Sequence, residues 1–250
     1  VVSPSRILRK DGQVISVVLF DLDDTLFAHR RAVEDGVVAH LRTLGPAGQR
    51  FESAAEAARW TELEEKHYTR YLGGELDYLG QRRARARDFM APYGVSFADD
   101  LAAEAWFEDY LDEYRAAWAL HDDALPALDA LSRLRLGIIT NGVTHFQQPK
   151  LDVLGLTRHF EHVITSGDFG AVKPDPSIFL HACAVFGVHP SETAYVGDRL
   201  HTDAIGAAAA GLTGVWLNRG GDASANELAE ASAARVSVIT SLDQLPASLG

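Results

Sequence analysis

Three acids crowd into four positions in "VVLFDLDDTLF", residues 17–27, directly after an apolar, β-branched run. Asp21 is first out of that run. Asp23 lies two residues on, so in extended chain both side chains point to the same side, while Asp24 points away. Further along, other polar residues follow apolar runs in the same manner: Thr140 and Asn141 after "LGII", Lys173 after "HVITS" and a short loop, and Asp198 after "TAYVG", with Asp203 five residues later. Two carboxylates about 4 Å apart repel by about 4 kcal/mol at an effective dielectric of 20. Asp21, Asp23 and Asp198 therefore cannot share a pocket unaided. A divalent, oxygen-seeking cation removes the conflict, and Mg²⁺ suits a site with few carboxylates and a phosphate. Lys173 adds positive charge. A site so arranged favours a substrate that brings its own negative oxygens, which points to phosphoryl transfer, where positioning and charge neutralisation do most of the catalysis.

The elements that must position these residues follow from pattern. "VISVVLF" reads as a buried strand from about residue 15 to residue 20. From about residue 30 to residue 118 the composition turns to Ala, Glu, Arg and Leu with helical period, in four stretches separated by Gly or Pro. After Trp118, helices and short apolar strands alternate: "LPALDALSRLR" then "LGIIT", "QPKLDVLG" then "HVITS", "PSIFLHACAVFG" then "TAYVGD", "DAIGAAAAG" then "GVWLN", "NELAEASAA" then "VSVIT". Such alternation predicts a parallel sheet covered on both faces. The expected fold class is α/β: a Rossmann-like, three-layer core formed by residues 1–27 and 119–250, interrupted after its first strand by an all-helical subdomain over residues 28–118. Open parallel sheets bind ligands at the carboxyl ends of their strands, and the polar residues above all sit at such ends.

Geometry then suggests roles. Asp21, backed by Mg²⁺ and Lys173, can attack phosphorus. Asp23 can protonate the leaving oxygen and later deprotonate a water. Thr140, Asn141 and Lys173 can contact the phosphoryl oxygens.

These motifs together resemble the haloacid dehalogenase superfamily, in particular its phosphatase branch. "FDLDDTL" is similar to its first motif, D-x-D-x-T; "IITN" to its second, a hydrophobic strand ending in Thr or Ser; Lys173 of "AVKPDP" to its third; and "VGDRLHTD" to its fourth, G-D-x-x-x-x-D. The resemblance runs from Asp21 to Asp203, with four motifs in order. It implies a Mg²⁺ site made by the Asp21 carboxylate, the Asp23 backbone carbonyl and the Asp198 carboxylate, with Asp203 as a supporting acid around the metal. It also implies that the helical block is a cap closing over the substrate. Dehalogenases of the family lack an acid two residues after the nucleophile, so Asp23 disfavours carbon–halogen cleavage. The expected activity is hydrolysis of a small phosphorylated metabolite, such as a sugar phosphate or nucleoside monophosphate. A phosphosugar mutase of the same superfamily and a non-catalytic binding protein retaining the fold are the alternatives.

Other readings are blander. A calcium loop would need Gly and Glu where Leu26 and Ala32 stand. Asp24 reads as structural, beginning a helix or pairing with an arginine. The arginines of "QRRARARD" read as a solvated face, and Trp60, Tyr68, Tyr71, Trp106, Tyr110 and Trp118 as the apolar core of the helical block. The single Cys183 excludes an intramolecular disulfide and reads as a small core residue. A formal net charge of -12 argues against a nucleic-acid partner. No run reaches the roughly 18 apolar residues of a membrane span, so no membrane association is expected and the cytoplasm is the default location.

Overall fold

The computed structural model describes residues 6–8, 12, 14–44 and 53–250. The ends of the expected domain ranges that fall on residues 1–5, and the expected helical residues 45–52, lie outside the described residues. The chain divides into two units, one running through Ala28 and resuming at Leu120, the other His29–Ala119.

The first unit begins with two short antiparallel strands, β1 (Ile7–Leu8) and β2 (Val14–Ile15). The main sheet starts with β3 (Val17–Phe20). The run read as one strand from about residue 15 is thus broken at Ser16, whose N–H bonds the carbonyl of Glu192 at 2.9 Å. The next elements are α5 (Ala124–Ala130), β4 (Arg135–Thr140), α6 (Thr144–Val153), β5 (His162–Thr165) and the short α7 (Ser166–Phe169). They are followed by α8 (Pro176–Phe186), β6 (Thr193–Gly197), a π-helical turn (Leu200–Ile205), α9 (Gly206–Ala209) and β7 (Thr213–Leu217). The unit ends with α10 (Ala225–Ala233), β8 (Ser237–Ile239) and α11 (Leu245–Leu249). Six strands pair in parallel in the order β5-β4-β3-β6-β7-β8. The alternation of helix and strand is therefore the α/β fold that the sequence predicts.

Register explains why the polar residues gather. Phe20 lies level with Ile138 on β4 and Val196 on β6. Thr140 lies level with Thr165 on β5. Asp21, Thr140 and Asp198 thus leave three adjacent strands within about two residues of one level. One face of the sheet carries two apolar clusters. In the first, Ile178, Phe179, Ala182 and Phe186 of α8 pack with Val17, Leu19, Ile139 and Tyr195. In the second, toward β7, Ala231 of α10 joins Leu200, Ala204, Trp216 and Val236. Cys183 belongs to the first cluster and is 2% exposed.

One helix differs from its expected bounds. α6 begins at Thr144, well before "QPKLDVLG", and Pro149 sits inside it. Proline there removes one helical hydrogen bond. Packing compensates, because Gln147, Lys150 and Leu151 form its buried face.

The second unit is helical: α1 (His29–Thr43), α2 (Ser53–Leu72), α3 (Tyr78–Met90) and α4 (Asp100–Ala116). Trp60, Trp106 and Tyr110 are buried, and ring contacts join Trp60 to Phe89, Trp106 and Tyr110 at 4.6–5.7 Å. Tyr68, read as core, is instead 45% exposed and rests against Tyr71 at the rim. Arg83 and Arg87 are not simply solvated: both reach Asp100, at 2.7 and 2.6 Å.

Close contact between β7 and the π-helical turn depends on Gly214, where an added Cβ would stand 2.2 Å from the carbonyl oxygen of Ala204. Gly214→Ala should lower stability by about 1–3 kcal/mol, read as a lower urea midpoint with unchanged slope.

Candidate active site

Lys173 is the centre of the site. It is 4% exposed, and its ammonium has three hydrogens and three acceptors: Asp21 Oδ1 at 2.6 Å, Tyr195 Oη at 2.7 Å and Asp203 Oδ1 at 2.7 Å. Every donor is thereby engaged by the protein. Burial works against the charged ammonium, but Asp203 and Asp21 outweigh it and push Lys173 above its ordinary range. The loop that carries Lys173 is pinned by a reciprocal pair of bonds. Its N–H donates to Asn141 Oδ1 at 2.8 Å, and Asn141 Nδ2 donates to its carbonyl at 3.1 Å. Asn141, read from sequence as a phosphoryl contact, thus has its amide committed to positioning the lysine.

Asp21 is buried at the end of β3, and its N–H continues the ladder to the Val196 carbonyl at 2.9 Å. Its second oxygen accepts only a long 3.4 Å bond from Thr25. Burial raises the Asp21 pKa well above the carboxylate range; Lys173 opposes this, while Asp203 and Asp198 reinforce it. Asp198, at the end of β6, has no side-chain hydrogen bond among the described residues. Burial first, then the charges of Asp203 and Asp24, push it up to about 7.

Asp203 reaches the cluster from the π-helical turn. The approach requires Gly197, where a Cβ would stand 2.4 Å from the Asp203 carboxyl carbon. The sequence reading places Asp203 among acids around a metal. Both its oxygens are occupied: Oδ1 by Lys173 and, at 3.2 Å, Tyr195, and Oδ2 by the Arg199 N–H at 3.0 Å. Its support therefore runs through the lysine and the backbone.

Oxygens of Asp21, Asp198 and Asp203 lie within 4.8 Å of one another. Burial first and neighbouring acids second raise the pKa values of Asp21 and Asp198, and the oxygen-only donor set suits a hard divalent ion. The residues present fit Mg²⁺, with Asp21 and Asp198 as the carboxylates free to hold it.

Asp23 is held from α6. Lys150 Nζ lies 2.7 Å from its Oδ1, and Gln147 Nε2 lies 2.9 Å from its Oδ2. Thr140 is 1% exposed and accepts from the same Gln147 nitrogen at 2.7 Å. Asp24 has φ +61°, a left-handed conformation that Asp tolerates better than most residues. The turn is clamped by Arg219, which donates to the carbonyls of Asp24 and Thr25 at 3.3 and 2.7 Å and grips Asp123 with two nitrogens. Burial opposes ionisation of Asp123, but its bonds from Arg219 and the Leu242 N–H hold it below the usual range. The arginine partner foreseen for Asp24 thus acts on its carbonyl.

Sequence reasoning missed Gln147, Lys150, Tyr195 and Arg219. Gln147 and Lys150 carried a legible signal, since they share a helical face with Leu151 and stand where apolar residues would. Tyr195 and Arg219 carried none.

A family model described as haloacid dehalogenase-like hydrolase matches residues 15–211. The chain belongs to this family. Among haloacid dehalogenase-like relatives, it is 32% identical over 209 residues to glyceraldehyde 3-phosphate phosphatase from Methanopyrus kandleri, covering 83% of this chain and 85% of that one. It is 35% identical over 230 residues to phosphoserine phosphatase from Thermus thermophilus, covering 82% and 90%. The HAD-hydrolase YfnB from Bacillus subtilis, solved with bound magnesium, shares the fold with a TM-score of 0.73 at 23% identity, over 94% of this chain and 99% of that one. No helix among the described residues is long and apolar enough to cross a membrane.

A protonated carboxyl is a poor metal ligand, so a Mg²⁺ ion held here would compete with the proton on Asp198. The gain in melting temperature from millimolar Mg²⁺ should therefore be small at pH 5.5 and grow as pH rises through about 7. Differential scanning fluorimetry at pH 5.5 and 8, with and without Mg²⁺, checks this.

Proposed function

We propose that this chain is a Mg²⁺-dependent phosphatase that hydrolyses a small phosphorylated metabolite through an aspartyl phosphate on Asp21. The observation that carries the reading is the placement of Asp21. It leaves the central strand beside a fully engaged buried ammonium 2.6 Å away, and Asp198 crowds it from the next strand. The relatives named above act on small phosphate monoesters, which supports the same chemistry here.

Bound Mg²⁺ would supply charge neutralisation between Asp21, Asp198 and the phosphoryl oxygens. The chain's own residues do the rest. Lys173 orients Asp21 and balances its charge. Asp21 attacks phosphorus with its less engaged oxygen, and the bond from phosphorus to the substrate oxygen breaks. Asp23 delivers a proton to that oxygen. Water then attacks the phosphoryl group on Asp21, Asp23 takes the water's proton, and phosphate leaves with Asp21 restored. Thr140 donates its hydroxyl hydrogen to a phosphoryl oxygen. In this reading the helical unit is the cap that sets substrate choice and limits water.

Asp21→Asn should abolish phosphate release from p-nitrophenyl phosphate in Mg²⁺ while the far-ultraviolet circular dichroism spectrum stays that of the folded wild type. Omitting Mg²⁺, with chelator present, should silence the wild-type enzyme. Turnover by Asp21→Asn at the wild-type rate would refute the nucleophile.

A further inference from the structure

α6 buries two polar side chains on the face that also carries Leu151. Gln147 is 3% exposed and Lys150 is 7% exposed. Burying long polar side chains is unfavourable unless partners repay it, so their placement needs a reason. Lys150 finds one: its ammonium lies 2.7 Å from Asp23 Oδ1 and 5.0 Å from the centre of the Phe27 ring. Gln147 is different. Its Nε2 carries two hydrogens, and they go to Asp23 Oδ2 at 2.9 Å and Thr140 Oγ1 at 2.7 Å. Its Oε1 is buried without a partner. The amide is thus held by what it gives to two site residues, while its own acceptor is left unsatisfied, which is unfavourable.

We propose that Gln147, backed by Lys150, is a positioning residue that couples Asp23 to Thr140 through one amide nitrogen. The reasoning is donor arithmetic. In the half of the reaction where Asp23 takes the water's proton it is a carboxylate and only accepts hydrogen bonds, so there the amide must turn its nitrogen toward Asp23; the opposite orientation would set Oε1 against the carboxylate. With the nitrogen so placed, Thr140 Oγ1 must accept the second hydrogen. A hydroxyl that accepts there keeps its own hydrogen for another acceptor. No such acceptor is paired with Thr140 among the described residues, so the hydrogen is available to a phosphoryl oxygen. One side chain thereby sets both the direction of the proton-transferring carboxylate and the polarity of the phosphate-binding hydroxyl. Lys150 fixes the other carboxylate oxygen, which leaves Asp23 little freedom to rotate.

The inference deepens the phosphatase reading and rests on it. Its test measures kcat/KM for p-nitrophenyl phosphate in Mg²⁺, together with inhibition by inorganic phosphate. Gln147→Met should lower kcat/KM about a hundredfold, the scale of a misplaced catalytic group, and weaken phosphate inhibition. In an Asp23→Asn background the further loss should shrink to less than about tenfold, because one of the two targets is gone. Gln147→Glu, equal in size, should lose at least as much, since a second carboxylate would repel Asp23 and draw the Thr140 hydrogen inward. It also carries the test if Gln147→Met does not fold. A Gln147→Met enzyme with wild-type kcat/KM, or the same hundredfold loss with Asp23 already replaced, would overturn the coupling. A crystal structure of the variant reads it without turnover: Asp23 should leave its present rotamer, and an unmoved carboxylate overturns the proposal. Absence of phosphate release by the wild-type enzyme from every monoester tried would sink the phosphatase reading, and the crystallographic arm would still judge the clamp.

Discussion

A buried ammonium surrounded by carboxylates is the constraint on which the site depends. Lys173 spends its three hydrogens on Asp21, Asp203 and Tyr195, which come from the end of β3, the π-helical turn and the middle of β6. No member is separately stable in its place. Removing one partner from a buried ion pair costs about 3–5 kcal/mol, because a charge is left uncompensated. The cluster is nonetheless short of positive charge: Asp21, Asp198 and Asp203 face one lysine. That deficit is what a divalent cation would resolve.

Backbone contacts hold this charged group in place. The Lys173 loop is fastened to Asn141 through its own N–H and carbonyl. Asp203 can come close only because residue 197 has no side chain. The turn after β3 is gripped at two carbonyls by Arg219, whose partner Asp123 also accepts from Ser241 and the Leu242 N–H. The ends of several strands are thereby tied together around the acids. α6 adds the amide of Gln147, which places Thr140 and Asp23 under one control.

Legibility followed chemistry. Asp21, Asp23, Thr140, Lys173 and Asp198 could be picked out because each follows a strand-like run and its type suits one kind of reaction. The parallel sheet could be read from the alternation of helix and strand alone. Three details could not. The break at Ser16 depends on a bond to Glu192, 176 residues away. The continuation of α6 through Pro149 depends on its packed face. Tyr68 shares the composition of its buried neighbours and yet stands at the rim.

The sequence by itself determined which polar residues stand at the strand ends, since side-chain type and strand-end position are local properties. Only the tertiary structure decided how those residues share hydrogen bonds. It showed Asn141 and Asp203 bonded to Lys173 and its loop, and it brought Gln147, Lys150, Tyr195 and Arg219 into the site. The physical reason is that hydrogen-bond donors and acceptors are few per side chain and are allotted by proximity. Proximity between residues 23 and 150, or 24 and 219, arises only when the strands are laid side by side.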